Sequence, residues 1–316
     1  MKKLSALFLS TFFLLGGCQS TFGDDRENLD SHVENPNVEE PTETGGGTGD
    51  DQFASVNEYT GEGYDVGRNR EVEAIAENYY DELEKGVKGF FEEEYKIEVN
   101  VNNLVGNEIG VIAIVQAIDG PAFQTQVIIP INDGQPSLSE IQAPEFSIEE
   151  ALYGGLVAMT MEEEFNVLDD FVEEISEKYG LVGLTKEATE RVRSNGHGTS
   201  FYYMTTSNYK EEILNLTQVY YENPNLTPNE IKTHFDKNNY DPTKFYLTLV
   251  FFLAEEGSEP EEQMLEAIVS DLESAEGLPR GSYTVALHDN RIGIQSATGD
   301  KENSLIHGIP HEVIKE

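Results

Sequence analysis

The chain has 316 residues, of which 60 are acidic and 20 are basic, so its formal net charge is −40. Nucleic acid is not expected as a partner, because phosphate binding needs stripes of Lys and Arg. The first 51 residues hold ten acids and three bases, which leaves a net charge of −33 on residues 52–316. Such a domain attracts cations, cationic peptides or basic proteins. Solubility in a salty environment is the simpler explanation of the same charge.

The first residues have the pattern of a secretory signal peptide. Lys2 and Lys3 precede an apolar run from Leu4 to Leu15, which is shorter than the roughly 20 apolar residues of a membrane-spanning helix. The run ends in Leu15-Gly16-Gly17-Cys18, which resembles the lipobox of bacterial lipoproteins. In such proteins a diacylglyceryl group is joined to the thiol and the chain is cut just before the cysteine. The resemblance therefore implies a lipoprotein signal peptide at 1–17 and a lipidated Cys18.

Lipidation would decide where the mature protein resides. Cys18 is the only cysteine, so no thiol would remain for disulfides, metal binding or catalysis. Two acyl chains anchor a protein stably, whereas one chain binds a membrane only marginally. We therefore expect a lipid-anchored protein on the outer face of the cell membrane, in contact with membrane lipid through diacylglyceryl-Cys18. A plain N-terminal membrane helix and a secreted protein with a stray cysteine are the alternatives.

Residues 18–55 are predicted to form an acidic, disordered linker. The segment contains TETGGGTGDD and few large apolar residues, so it cannot offset the entropy lost on ordering. A flexible chain of this length spans roughly 35 Å, enough to hold a domain clear of the lipid surface. The globular domain is expected to cover 56–316 and to begin near YTGEGY at 59–64.

The first half of this domain predicts a helix, a meander and two further helices. Apolar residues at three-and-four spacing predict one long helix over about 70–95, in which Gly86 and Gly89 are interpreted as sites of close packing. Apolar runs separated by turns then predict three strands, at 96–105, 109–118 and 123–131. Two helices follow. A capping box of Ser147 and Glu150 begins the first, and the second ends at Gly180.

The second half repeats this mixture without repeating the sequence. The predicted elements are a strand at 201–204, a helix at 208–222, a helix capped by Thr227-Pro228-Asn229-Glu230, a strand at 244–253, a helix at 261–275 and a hairpin of 283–288 with 291–296. Strands occur in hairpins beside helices, without regular βαβ alternation. The fold class is therefore α+β, with an antiparallel β-meander and hairpins packed against amphipathic helices. If the domain has two lobes, their boundary falls at 181–200.

Several stretches together resemble a known family. They are YTGEGY (59–64), NYYDELEKGVKGFFEEEYKIEV (78–99), the meander, GLVAMTMEEEFNVLDDF (155–171) and NGHGTSFYYM (195–204). With the lipobox, these stretches are similar to an uncharacterised family of Gram-positive cell-envelope lipoproteins, a domain of unknown function. The resemblance covers most of the chain after Tyr59. It implies localisation and a shared fold, and it implies no activity, cofactor or catalytic residue.

The stretch most typical of an active site runs from Asn195 to Ser200. His197 stands between two glycines and is a candidate general base, with Ser200 or Ser194 as the nucleophile. This pattern would suit an extracellular hydrolase. The motif G-x-S-x-G is absent, and no acid is identifiable as the orienting partner of the histidine. A glycine turn leading into a strand is the simpler interpretation.

A histidine cluster is a weaker candidate for a metal site. His307 and His311 have the i, i+4 spacing of two metal ligands, and His288 could supply a third. The intervening Gly308-Ile309-Pro310 is hostile to the helix that would make this spacing meaningful. Surface histidines near a chain end are the simpler explanation, and no metal site is predicted.

Two further patterns carry little functional signal. The segment from Gly61 to Gly67 resembles a dinucleotide loop only superficially, because its spacing is wrong and two acids stand where phosphate would sit. Glu92–Glu94 and Glu162–Glu164 are carboxylate runs without the EF-hand pattern, so they are expected to form solvated faces. No cofactor is predicted from either pattern.

The sequence favours a non-enzymatic, lipid-anchored envelope protein. Its acidic domain would bind a partner, such as a cationic peptide or a basic protein. One alternative is an extracellular hydrolase that uses His197 and Ser200. Another is a structural or stress-related surface lipoprotein without a tight ligand.

Overall fold

The computed structural model describes residues 52–65, 67–207, 210–237 and 240–316. The signal peptide, the lipobox residues Leu15, Gly16 and Gly17, the lipidation site Cys18 and the linker up to residue 51 lie outside these ranges. The described residues belong to one unit, in which helices pack beside antiparallel and mixed sheets. The predicted α+β class is confirmed. In the described part of the chain, no helix is long and apolar enough to cross a bilayer.

The domain starts earlier than the predicted boundary at residue 56. Strand β1 (Phe53–Ser55) pairs antiparallel with β11 (Arg291–Gly293). The hydroxyl of Ser55 donates a 2.6 Å hydrogen bond to Oδ1 of Asn290, 235 residues further along the chain. The local composition gives no sign of this strand, because its pairing partner lies near the other end of the sequence.

The long helix predicted for 70–95 is divided. Helix α1 (Arg70–Asn78) ends at Tyr79, whose backbone leaves the helical region with φ −111° and ψ 20°. Helix α2 (Tyr80–Phe90) then continues into a π-helical turn (Phe91–Tyr95). The side chain of Asn69 caps α1 by accepting hydrogen bonds from the first backbone N–H groups, as expected of an N-cap asparagine.

The predicted meander is confirmed. It consists of β2 (Val99–Asn107), β3 (Gly110–Ala117) and β4 (Gln124–Ile129), paired antiparallel in that order. Val111, Ala113 and Val115 of β3 join the main core with α1 and α2. Ile112 and Ile114, on the opposite face, form a smaller cluster against which Tyr64 packs. Strand β3 is buried on both faces, which explains its nearly continuous apolar run. A short hairpin of β5 (Ile131–Asn132) and β6 (Gln135–Pro136) follows.

The second sheet has six strands and mixed directions. They are β7 (Leu181–Val182), β8 (Tyr202–Thr206), β9 (Phe245–Leu253), β10 (Gly281–His288), β12 (Leu305–His307) and β13 (Val313–Lys315). β9 and β10 run parallel at its centre and are joined through helix α8 (Glu262–Ser274). β7 and β8 pair antiparallel with β9, and β12 and β13 pair antiparallel with β10.

The hairpin predicted for 283–288 and 291–296 is wrong. Strand β10 has β9 on one edge and β12 with β13 on the other, so neither edge is left for β11. The chain turns away at Asn290, which is fully buried. Its side-chain amide donates to the carbonyl oxygens of Leu253 and Ala254 at 2.8 and 3.1 Å. This bonding directs β11 towards β1.

The remaining helices supply buried side chains to the apolar clusters of the domain. They are α3 (Ser147–Thr160), α4 (Glu162–Tyr179), α5 (Lys186–Val192), α6 (Lys210–Glu222) and α7 (Pro228–Lys237). The predicted capping box of α7 is confirmed, because Thr227 and Glu230 exchange side-chain-to-backbone hydrogen bonds of 2.9 and 3.4 Å. The box predicted for α3 is not formed. The hydroxyl of Ser147 instead donates to the carbonyl of Pro144 at 3.0 Å.

The segment 181–200, predicted as a boundary if two lobes exist, instead links the two sheets. Strand β7 pairs with β9. Gly196 exchanges backbone hydrogen bonds of 2.8 and 2.9 Å with Gln124 of β4. Buried residues from both sides of the segment belong to one apolar cluster, because both sheets bury a face in the same core.

Candidate functional site

The ring of His197 is packed inside the domain. Its Nδ1 lies 2.9 Å from the carbonyl oxygen of Ala122 and donates to it. The edge of the ring meets Phe165 with centroids 5.0 Å apart. Its Nε2 is buried and has no hydrogen-bond partner among the described residues. Burial lowers the pKa of the imidazole, so the ring is neutral at pH 7.

The structure does not unite a catalytic set around this ring. The hydroxyl of Ser200 lies 3.5 Å from Oγ1 of Thr189 on α5, whereas the imidazole contacts Ala122 and Phe165. A Cβ at Gly198 would lie 2.8 Å from the carbonyl oxygen of Tyr202. The glycine is therefore explained by close packing of a turn against β8, which favours the simpler interpretation of this stretch.

Ser194, the other candidate nucleophile, lines a different cleft. This cleft has a volume of about 210 Å³, and its walls include Glu150 and Asn195 but neither His197 nor Ser200. Burial, with a smaller contribution from Glu149, raises the pKa of the Glu150 carboxyl. The cleft contains hydroxyl groups and one carboxylate, but His197, the base that the sequence suggested, is not part of its lining.

The three histidines of the suggested metal site do not converge. His307 of β12 pairs with Val285 of β10, so His307 and His288 project from opposite faces of the sheet. His288 is 2% exposed, with Nδ1 2.8 Å from Oγ of Ser304 and Nε2 3.8 Å from Oδ1 of Asp300. Within the described ranges, no group of three His, Cys, Asp or Glu residues could hold a metal ion.

The burial of His288 has a consequence for stability. Burial is the main cause that lowers the pKa of His288 and Lys301 adds to it, while Asp300 and Asp289 oppose it. As the pH falls below about 6.5, the unfolded chain takes up a proton that the folded protein resists. We expect the free energy of unfolding to fall through this range, with a contribution of up to about 1.4 kcal/mol per pH unit from this residue.

Urea unfolding of wild type and His288→Gln between about pH 5.5 and 7.5, one unit either side of the ordinary histidine pKa, measures this contribution. The variant should lose that part of the slope, whatever its stability at pH 7. His311→Gln is the matched control, because His311 is exposed. Equal slopes in wild type and His288→Gln would contradict the expectation.

A polar cleft lies where the YTGEGY segment meets the end of β2. It has a volume of about 200 Å³ and is lined by residues 61–65, Arg68, Glu73, residues 103–106 and Arg191. Gly61 and Gly63 adopt φ of +81° and +79°, a region that favours glycine. A Cβ at Gly61 would also lie 2.9 Å from Cβ of Arg191. The glycines thus let this segment turn tightly against α5.

Two tyrosines of the same segment fix its position. The hydroxyl of Tyr59 donates a 2.8 Å hydrogen bond to the carbonyl oxygen of Ile294, and its ring is buried. Tyr64 packs against the cluster of Ile112 and Ile114 and against a second small apolar cluster that includes Tyr59 and Ile292. Burial raises the pKa of the Tyr64 phenol. The wall of the cleft is therefore held by packing on both sides.

Asp65 is the unusual residue of this cleft. Its side chain is only 9% exposed, and its Oδ2 lies 3.2 Å from Nε of Arg68. Arg68 also reaches Glu73, with Nη2 3.0 Å from Oε2. The other oxygen of Asp65, Oδ1, is buried without a hydrogen-bond partner among the described residues. Burial is the main cause that raises the pKa of Asp65; Glu73 adds to it and Arg68 opposes it.

The sequence did not identify this cleft. The closely spaced glycines of Gly61 to Gly67 were the available signal, and they were compared only with phosphate-binding loops. Asn103 and Arg191 line the same cleft, although they follow Asp65 by 38 and 126 residues in the sequence. Such a juxtaposition follows from the packing of α1, α5 and β2 together.

A protein-family model described as "Protein of unknown function (DUF1672)" matches residues 47–315. The chain belongs to the DUF1672 family. This DUF1672 protein is similar in structure to a DUF1672 family protein from Staphylococcus aureus subsp. aureus Mu50, with a TM-score of 0.69, 17% identity, and coverage of 84% of this chain and 98% of that chain. At this identity the likeness shows the fold alone.

The remaining comparisons add no function to this DUF1672 protein. A DUF5037 family protein from Ruminococcus gnavus ATCC 29149 aligns with a TM-score of 0.27 and 16% identity over 66% of this chain and 76% of that chain, which is too distant to support an inference. No curated protein matches the chain. The predicted relation to an uncharacterised family is confirmed for the domain, and any role must be argued from the chemistry of its residues.

Proposed function

We propose that this DUF1672 protein is a lipid-anchored, non-enzymatic binding protein at the outer face of the cell membrane, whose acidic domain holds a cationic peptide or a basic protein. The observation that carries the proposal is the net charge of −33 on residues 52–316. A field of this size raises the local concentration of cations and accelerates encounter with a cationic partner.

Helix α4 illustrates how the charge is displayed. Phe165, Leu168, Val172 and Ile175 are buried on one side of the helix. Eight of its 18 residues are acidic, and six of these are exposed, namely Glu162, Glu163, Asp170, Glu173, Glu174 and Glu177. Near its end, Nζ of Lys178 lies 2.6 Å from Oδ2 of Asp271 on α8. The helix therefore presents an acidic, solvated face, as predicted for the run at 162–164.

The anchor rests on the sequence Leu15-Gly16-Gly17-Cys18, which lies outside the described residues. The non-enzymatic character is supported by the separation of the groups that a hydrolase would need. His197 faces Ala122 and Phe165, while Ser200 faces α5. The alternative, a surface lipoprotein without a ligand, predicts no binding in the peptide assay described next.

The test uses the full chain in detergent and a fluorescent lysine-rich peptide. We expect binding that weakens with sodium chloride but survives at about 0.15 M salt, where the Debye length is about 8 Å. A peptide of the same sequence with acetylated lysines is the control and should not bind. If the lysine peptide does not bind at about 0.15 M salt, or the acetylated peptide binds equally well, the binding function is wrong.

Salt should also act on the domain without a partner. Its excess of negative charge opposes the compact state, and added ions screen that repulsion as the Debye length falls from about 10 Å at 0.1 M to about 3 Å at 1 M. We expect the melting temperature to rise as sodium chloride is added. A melting temperature that is unchanged or falls would show that the acidic residues do not repel one another appreciably.

A further inference from the structure

We infer that the cleft beside Asp65 binds a primary ammonium group of the cationic partner, with the carboxylate of Asp65 as its acceptor. The inference rests on the proposed function and names the contact that gives it specificity. The acidic surface would attract the partner, and the cleft would hold one lysine side chain or terminal amine.

The unpaired oxygen is the first argument. A carboxylate that is 9% exposed loses its hydration, and its oxygens need donors from the protein or from a ligand. Oδ2 of Asp65 has Arg68, whereas Oδ1 is buried without a partner among the described residues, and Asp65 lines a cleft of about 200 Å³. A ligand that supplies an N–H donor would complete the bonding of this carboxylate.

The charges of the lining are the second argument. Both arginines already have carboxylate partners, since Arg68 contacts Asp65 and Glu73 and Nη2 of Arg191 lies 3.2 Å from Oε1 of Glu187. An anionic ligand would meet the carboxylates of Glu62, Asp65 and Glu73 in the same lining. The cleft therefore favours a cation.

The form of the cleft selects among cations. An ammonium group is a compact charge with three donors on a flexible stem, and that stem can lie along apolar surface. Leu104 and Tyr64 offer such surface in the lining. A divalent metal ion would need several oxygen ligands, and the described residues contain no cluster suited to one.

The lysine-peptide assay tests the inference with two variants of the full chain. Asp65→Asn should weaken binding about tenfold or more, because a charge-assisted hydrogen bond becomes a neutral one. Glu58→Gln is the matched control; it removes one charge from an exposed residue that lies seven positions before Asp65 and does not line the cleft, and it should weaken binding less than about twofold. If both variants lose binding equally, the acidic surface as a whole holds the peptide and the inference fails while the proposed function stands.

A second measurement does not depend on the peptide. NMR titration of the full chain with methylammonium chloride should shift the amides around Tyr64 and Leu104, and these shifts should be absent in Asp65→Asn. Tetramethylammonium chloride at equal ionic strength has no N–H donor and should leave these amides unshifted. If methylammonium and tetramethylammonium give the same shifts in wild type, or neither gives any, the cleft does not recognise an ammonium group. This outcome overturns the inference even if the peptide binds.

The folding of Asp65→Asn is checked by its melting temperature. Burial raises the pKa of Asp65. At pH values above the ordinary carboxyl pKa, the ionised carboxylate therefore lowers the stability of the folded protein. The variant should melt at a higher temperature than wild type at pH 7, and the difference should vanish in acid, where Asp65 is protonated in both states. A variant that melts lower at pH 7 would mean that the carboxylate is fully stabilised by Arg68, and the inference would lose its first argument.

Discussion

Replacement of Cys18 by alanine is expected to abolish membrane attachment. The thiol is the group that takes the diacylglyceryl moiety, and alanine has no nucleophile to replace it. The chain should then fail to incorporate a labelled fatty acid, and it should be recovered unprocessed or released from the cells. The effect is all-or-none, since the lipid is the proposed anchor and acyl chains supply the binding energy. Fractionation of cells fed with the labelled fatty acid measures both properties.

Ser20→Ala is the matched control for this experiment. It alters a small side chain two residues beyond Cys18 and leaves Leu15-Gly16-Gly17-Cys18 intact, so both lipid uptake and membrane fractionation should match wild type. If wild type takes up no label and fractionates like Cys18→Ala, the lipoprotein assignment is wrong. The binding role of the domain would then have to be considered for a secreted protein.

Gly106→Ala is expected to destabilise the domain by about 3 kcal/mol, the upper part of the range for overpacking. A Cβ at this position would lie 2.2 Å from the backbone nitrogen and 2.6 Å from Cα of Glu73. Backbone cannot swing aside as a flexible side chain does. The start of α1 is also tied to this strand, since the N–H of Asn69 donates to the carbonyl of Gly106 at 3.1 Å. Urea unfolding at neutral pH measures the loss.

Gly89→Ala is the control for Gly106→Ala. Gly89 lies in helix α2, and no atom would come within 4 Å of its added Cβ. Alanine in a helix interior is more stable than glycine by about 0.5–1 kcal/mol, so this variant should be slightly more stable than wild type. Similar losses in both variants would contradict the explanation from direct backbone contact.

The packing of the two helix glycines could not be decided from the sequence. Both were interpreted as sites of close packing, since glycine weakens a helix unless something approaches it. A Cβ at Gly86 would lie 2.7 Å from Cδ2 of Leu138, whereas Gly89 has open space. The difference arises from a segment about 50 residues downstream that reaches only one of the two positions.

Local patterns determined the meander and the start of α7. Alternation, continuous apolar runs and turn residues fix strands without reference to distant parts of the chain, and β2, β3 and β4 follow in the predicted order. The Thr227 and Glu230 capping box is equally local, because both partners lie within one helical turn. The Ser147 box has the same pattern and fails, because the hydroxyl of Ser147 is taken by Pro144.

Strand partners and the cleft were decided only by tertiary structure. The pairing of β10 with β9, β12 and β13 depends on which apolar faces meet in the core, so the local hairpin signal at Asp289-Asn290 was overridden. The environment of Asp65 depends in the same way on contacts between residues far apart in sequence. The charge, the apolar periodicity and the lipobox can be read from the sequence alone, because they depend only on which residues occur and in what order. The burial that leaves one carboxylate oxygen without a partner appears only when β2, α1 and α5 are packed together, because desolvation is a property of the whole surroundings.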